Sequence, residues 1–174
     1  MNATSAATTT KSPDFVLSRI LDAPRDLVWA AWTDVEHLKK WWGPKGFKII
    51  SAKLDLRPGG IFHYGLRSPD GHEMWGKFIY REIKPPERLV FIVSFSDEKG
   101  CVTRHPMSPT WPLETMSTAT FADKGGKTEV RVIWAAHNAT EEEQKTFDSS
   151  HDSMRMGWGG TMDQFAEYLA KAQA

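Results

Sequence analysis

The chain contains a single cysteine, Cys101, in 174 residues, so it can form no internal disulfide and no multi-cysteine metal centre. It has no surplus of either charge. Its 22 Lys and Arg match 22 Asp and Glu, which removes the overall field that draws a protein to nucleic acid or to an anionic membrane. No apolar run approaches the ~18 residues of a membrane span, and the mean hydropathy is −0.46. The six histidines are dispersed, without the His-x-x-x-His or His-Glu-x-x-His spacing of a metal site. There is no Gly-x-Ser-x-Gly elbow, and Gly59-Gly60 and Gly125-Gly126 read as hairpin turns rather than phosphate cradles. No metal, cofactor or nucleic-acid partner is therefore expected. The opening stretch, Met1 to Ser12, is rich in Thr, Ser and Ala, with no apolar core and no arginines. It is unlike a secretory or organelle-targeting segment, and a cytoplasmic location is expected. Residues 1–13 read as a disordered tail and 14–174 as one domain. What the chain does hold is aromatic side chains: eight Trp, nine Phe and three Tyr, enough to wall a pocket.

Hydrophobic periodicity divides the domain into three parts. Phe15 to Leu21 reads as a strand whose two alternate faces are both largely apolar. Asp22-Ala-Pro24 then opens a helix, and Asp34 caps a second, in which Leu38, Trp41 and Trp42 share one side before Gly43-Pro44 ends it. From Phe47 to Ala136 the period becomes two. Ile50, Ala52, Leu54 and Leu56 form one inward set, followed by Phe62, Tyr64 and Leu66, then Met74, Gly76, Phe78 and Tyr80, then Leu89, Phe91, Val93 and Phe95. Leu113 to Phe121 and Thr128 to Trp134 make a last pair. Short turns between six such strands predict an antiparallel meander. Finally, Thr140 and Glu143 form a capping box, and Phe147, His151, Met154, Trp158, Met162, Phe165 and Leu169 make one helical stripe. A continuous or mildly bent helix is expected, although Gly157, Gly159 and Gly160 thin it. The result is a two-layer α+β domain: a curved seven-stranded antiparallel sheet wrapped on a long C-terminal helix, with two short helices after the first strand.

This order resembles the helix-grip fold of START-type lipid-transfer domains and the birch-pollen allergen. More specifically, Asp22-Ala-Pro24, Val28-Trp-Ala-Ala-Trp-Thr-Asp34, Leu38-Lys-Lys-Trp-Trp-Gly-Pro44, Pro58-Gly-Gly60, Glu82-Ile-Lys-Pro-Pro-Glu-Arg-Leu89 and Gly157-Trp158 resemble the activator-of-heat-shock-protein-90-ATPase homologue family. The likeness runs over about residues 14 to 171. It implies the helix-grip (SRPBCC) fold. For function it implies a choice, because that superfamily includes carriers, cyclases, hydrolases and co-chaperones.

Several side chains are placed where a ligand would be met. Trp41 and Trp42 either pack the sheet edge or wall a pocket. Tyr64, Phe78, Tyr80 and Phe91 fall on the inward alternation, with Glu82 in phase behind them, whereas His63, His72 and Trp75 should face solvent. His151, Met154 and Trp158 lie on the helix stripe. The glycines beside Trp158 can mark a helix break, a close approach to the sheet or room for a guest. Arg104 to Trp111 lies within a long non-periodic stretch, 97–112, where His105 and Trp111 form either a lid or a proline-stiffened hairpin tip. That stretch is expected to be the most mobile internal segment. Three functions follow. The leading one is a domain that binds an apolar or aromatic small molecule in a cavity between sheet and helix. The others are a cavity enzyme using His151 or Glu82 as acid/base, and a co-chaperone-like module whose partner is a chaperone or a second copy.

Overall fold

The computed structural model describes residues 14–174, and the tail expected over 1–13 lies outside the described residues. Seven strands form one open, curved sheet, antiparallel at every pairing. They are β1 (Phe15–Leu21), β2 (Lys48–Leu54), β3 (Ile61–Arg67), β4 (Glu73–Lys84), β5 (Arg88–Ser96), β6 (Glu114–Lys124) and β7 (Lys127–His137). From β3 to β7 each strand pairs with its predecessor. β1 instead closes onto β7, with Phe15 opposite Trp134 and Leu21 opposite Thr128. β1 and β2 thus lie at opposite edges of the sheet. Two short helices, α1 (Arg25–Thr33) and α2 (Val35–Trp41), carry the chain between them.

The local signals account for the helix boundaries. Pro24 is the N-cap of α1, and Asp34 accepts a hydrogen bond from the Glu36 N–H at 2.8 Å to start α2. The capping box of Thr140 and Glu143 opens α3 (Glu141–Ser149). The long C-terminal helix expected over this region is in fact two helices. Ser150 leaves the helical conformation (φ −102°, ψ 7°), and α4 runs from His151 to Ala172. The Ser150 hydroxyl donates to the Thr146 carbonyl at 2.6 Å, a local bond that competes with the helical ladder. The glycines do not break α4, and the stripe continues through them. No atom outside the local helix backbone lies within 4 Å of a Cβ built at Gly157, Gly159 or Gly160, which removes the close-approach explanation.

The layers meet as the periodicities predict. Phe78, Tyr80, Phe91, Phe121, Phe165 and Leu169 belong to one buried cluster, against which Val93 and Trp158 pack. Two bulges alter the expected register. β2 slips between Ile49 and Ser51, so Ile49 rather than Ile50 packs inward together with Ala52 and Leu54. β4 slips between Tyr80 and Glu82. That extra residue turns Ile83 into the core and leaves Glu82 exposed beside Arg88, at 3.7 Å. Glu82 therefore does not face inward.

Candidate functional site

The interior between sheet and α4 is filled unevenly. At the end nearest the β4–β5 turn, Phe62, Tyr80, Leu89, Phe121 and Phe165 are at most 2 % exposed and leave no room. At the other end the side chains surround a pocket of about 430 Å³, within the usual size of small-molecule sites. Tyr64 and Leu66 of β3, Met74 of β4, and Phe91, Val93 and Ser94 of β5 form its sheet wall. Met154, Gly157, Trp158 and Thr161 of α4 form the opposite wall. Trp42 and the Gly43-Pro44 corner close one side. His105, Ser108 and Trp111 close another, with Thr115 and Trp134 between. No Lys, Arg, Asp or Glu lines it.

Four indoles follow one another around this wall. The ring centroids of Trp42 and Trp158 are 5.9 Å apart, those of Trp158 and Trp134 6.0 Å, and those of Trp134 and Trp111 6.0 Å. Trp41 and Trp32 continue the series inward from Trp42. Such edge-to-face pairs add to the apolar burial of the rings themselves. Some of the polar groups at the wall are satisfied within the protein. The Trp134 N–H donates to Thr115 Oγ1 at 2.6 Å, and Thr161 Oγ1 lies 3.1 Å from the Gly157 carbonyl.

Tyr64 is held differently. Its ring lies over Gly76, its partner across β3 and β4, and a Cβ there would sit 2.6 Å from the phenol oxygen. Burial pushes this phenol far above the usual tyrosine range and keeps it protonated. The Trp42 N–H approaches the phenol without hydrogen-bond geometry, so Trp42 Nε1 is buried with no partner. His105, the other titratable group at the wall, accepts from the Met107 N–H at 3.0 Å through Nδ1. Burial lowers its pKa from 6.5, which favours the neutral ring.

The connection after β5 is pinned at several points. Ser96 and Val102 form one bridge, and His105 and Ser108 another. Arg104 Nη1 meets Glu143 Oε1 at 2.7 Å, and Thr146 donates to Thr110 at 2.8 Å, tying the connection to α3. The Arg104 guanidinium, helped by the Thr140 N–H, holds the Glu143 carboxyl below the usual carboxylate range.

Of the side chains singled out from sequence, Trp42, Tyr64, Phe91, Trp111, Met154 and Trp158 meet at this pocket. Trp41, Phe78, Tyr80 and His151 do not line it. Trp41 is fully buried, and its N–H donates to the Ala31 carbonyl at 2.8 Å. Phe78 and Tyr80 belong to the packed cluster, the Tyr80 hydroxyl without a partner. His151 packs edge-on between Phe15 and Phe147, at 5.7 and 5.6 Å. Neither acid/base candidate, His151 or Glu82, therefore reaches the pocket wall. Trp75, expected in solvent, is half-buried. It stacks on His63 at 5.4 Å, covers Gly65 and borders the pocket. Trp134 was the wall residue sequence reasoning passed over. Its signal was present, since Val130, Val132 and Trp134 keep the inward period of two. Ser94 and Thr115 gave no such signal, because small hydroxyls are at home on either face. Among the described residues no cluster of three or more His, Cys, Asp or Glu can hold a metal, and no helix is long and apolar enough to cross a membrane.

The architecture recurs in solved structures. A protein from Nitrosomonas europaea is 26% identical with a TM-score of 0.71, over 93% of this chain and 97% of its own. One from Arthrobacter aurescens is 25% identical with a TM-score of 0.74, over 92% and 87%. The AHSA1 protein from Silicibacter pomeroyi is 17% identical with a TM-score of 0.69, over 91% and 99%, a likeness of fold alone. No curated protein matches the chain. The family model for Activator of Hsp90 ATPase homolog 1-like protein matches residues 22–170. With the match spanning nearly every element from α1 to α4, the chain belongs to that family, within the SRPBCC helix-grip superfamily.

Proposed function

We propose that this protein binds an apolar or aromatic small molecule in the pocket between the sheet and α4. The observation that carries this reading is the wall itself: five tryptophans around about 430 Å³, with no Lys, Arg, Asp or Glu among the lining residues. Closing that volume with side chains would bury more apolar area, so a stable domain that leaves it unfilled gives up packing energy. A guest restores those contacts. The reading is of a carrier or sensor rather than an enzyme, because neither His151 nor Glu82 lines the wall. A cytoplasmic setting is part of the proposal, and the exposed, unpaired Cys101 suits a reducing compartment.

Titration with Nile red, an uncharged apolar fluorophore, tests it. Saturable binding is expected, weakened at least several-fold by Trp158→Ala and unchanged by His72→Ala, since His72 is exposed and does not line the pocket. Absence of saturable binding would put the partner-surface reading, a chaperone or a second copy, ahead.

A further inference from the structure

Resting on that reading of the pocket, we infer that its ligand is uncharged and carries a hydrogen-bond-accepting oxygen, a carbonyl for instance, seated against the Tyr64 hydroxyl beside Trp42. The charge part follows from the wall. No Lys or Arg lines the pocket to receive an anion, and no Asp or Glu lines it to receive a cation. An ion moved from water into such a site loses its hydration without gaining a partner. An aromatic wall can attract a cation through its ring faces. Here, however, the unsatisfied polar group beside Tyr64 is an N–H, a donor that offers a cation nothing.

The acceptor part follows from what the wall leaves unpaired. Trp42 Nε1 can only donate, and it is buried without a partner. The Tyr64 O–H donates to no described residue, the indole of Trp42 is its polar neighbour, and burial keeps its proton in place. Unmade hydrogen bonds of buried donors are costly, and the buried donors of folded proteins are rarely left without an acceptor. The two groups adjoin, so a small rotation lets the indole N–H donate to the phenol oxygen while the phenol O–H turns to a guest. One ligand oxygen then satisfies both donors in series. Gly76 makes this geometry possible. Without a side chain there, the Tyr64 ring lies flat on β4, and any Cβ would collide with the hydroxyl.

Equilibrium dialysis at pH 7.5 with four naphthalene probes separates the possibilities: 2-acetylnaphthalene, 2-ethylnaphthalene, 2-naphthoate and the trimethyl(2-naphthyl)ammonium ion. The ketone should bind saturably and at least tenfold more tightly than either ion. Tyr64→Phe should weaken the ketone by about 3- to 10-fold, the value of one hydrogen bond, and change the hydrocarbon by less than twofold. In the unaltered protein, the bound ketone's C=O stretch should lie at lower wavenumber than in alkane, a readout that needs no variant. The inference is overturned, with the pocket reading intact, if Tyr64→Phe affects ketone and hydrocarbon alike and the C=O band stays at its alkane position. Tighter binding of either ion than of the ketone overturns it too. Binding of none of the four overturns the pocket reading, and the inference with it.

Discussion

Two glycines decide where two aromatic rings lie. Gly65 and Gly76 are neighbours across the β3–β4 pair, opposite Trp75 and Tyr64 respectively. A Cβ on Gly65 would fall 2.7 Å from the Trp75 ring, and one on Gly76 would fall 2.6 Å from the Tyr64 hydroxyl. Because side chains alternate along a strand, one ring covers the outer face and the other the pocket face. Gly76→Ala should therefore lift Tyr64 from its seat, lowering stability by about 1–3 kcal/mol through overpacking. Urea unfolding and a ligand titration together check this, since the displaced phenol should also lower affinity. None of it was legible from alternation alone. Tyr64 and Tyr80 carry the same inward signal, yet only Tyr64 reaches the pocket, because Tyr80 lies at the end that Phe62, Leu89, Phe121 and Phe165 fill. Glu82 misled for a different reason. A single inserted residue at a bulge reverses the face of everything after it, and the residues around Arg81 do not announce one.

At the scale of elements, α4 divides where its glycines lie. Gly157 borders the pocket, and the next turns, with Met162 and Phe165, enter the packed core. Gly159 has open space at its Cβ position and does not line the pocket. Gly159→Ala should therefore stabilise the protein by about 1 kcal/mol, the propensity difference in a helix interior. Gly157→Ala should gain similar stability but weaken Nile red binding. Thermal melts with a ligand titration separate the two, and equal affinities in both variants would deny Gly157 a place at the pocket. The Ser150 break escaped the sequence reading because the apolar stripe keeps its spacing across it, and spacing does not register a side chain that bonds back to the helix. The 97–112 connection lacked periodicity, as a loop should, but its ties through Arg104 and Thr110 come from partners about 36 to 39 residues away, beyond the reach of any local pattern.

These ties give the whole molecule an acid response of definite sign. The pKa values of His105 and Glu143 are both depressed by folding. Each contribution is complete above the unfolded pKa and is lost as pH falls through the folded one. Urea midpoints should thus decline below about pH 6.5 as His105 begins to resist protonation, and again below about 4.5 as Glu143 does. His105→Gln should flatten the first decline. Arg104→Ala should flatten the second while costing about 1 kcal/mol or less, since Arg104 is half-exposed. Unchanged profiles in both variants would sink the assignment. The sequence made the fold far more legible than the site. Periods of two and 3.6 mark the strands after β1 and both sides of the sheet–helix contact. The pocket depends instead on where large rings stop interdigitating, a property of summed volumes in three dimensions that no period records.

The run of indoles from Trp41 and Trp32 through Trp42, Trp158 and Trp134 to Trp111 has one more consequence. With neighbouring centroids between 5.2 and 6.0 Å along that path, electronic excitation created on one ring is not confined to it. Absorbed ultraviolet light is shared along a path that begins in the core and ends at the pocket rim. The emission of the protein is therefore a collective property, set largely by whichever ring lies lowest in energy. A guest of the kind proposed, quenching one indole at the wall, would drain the others as well and so report its own binding.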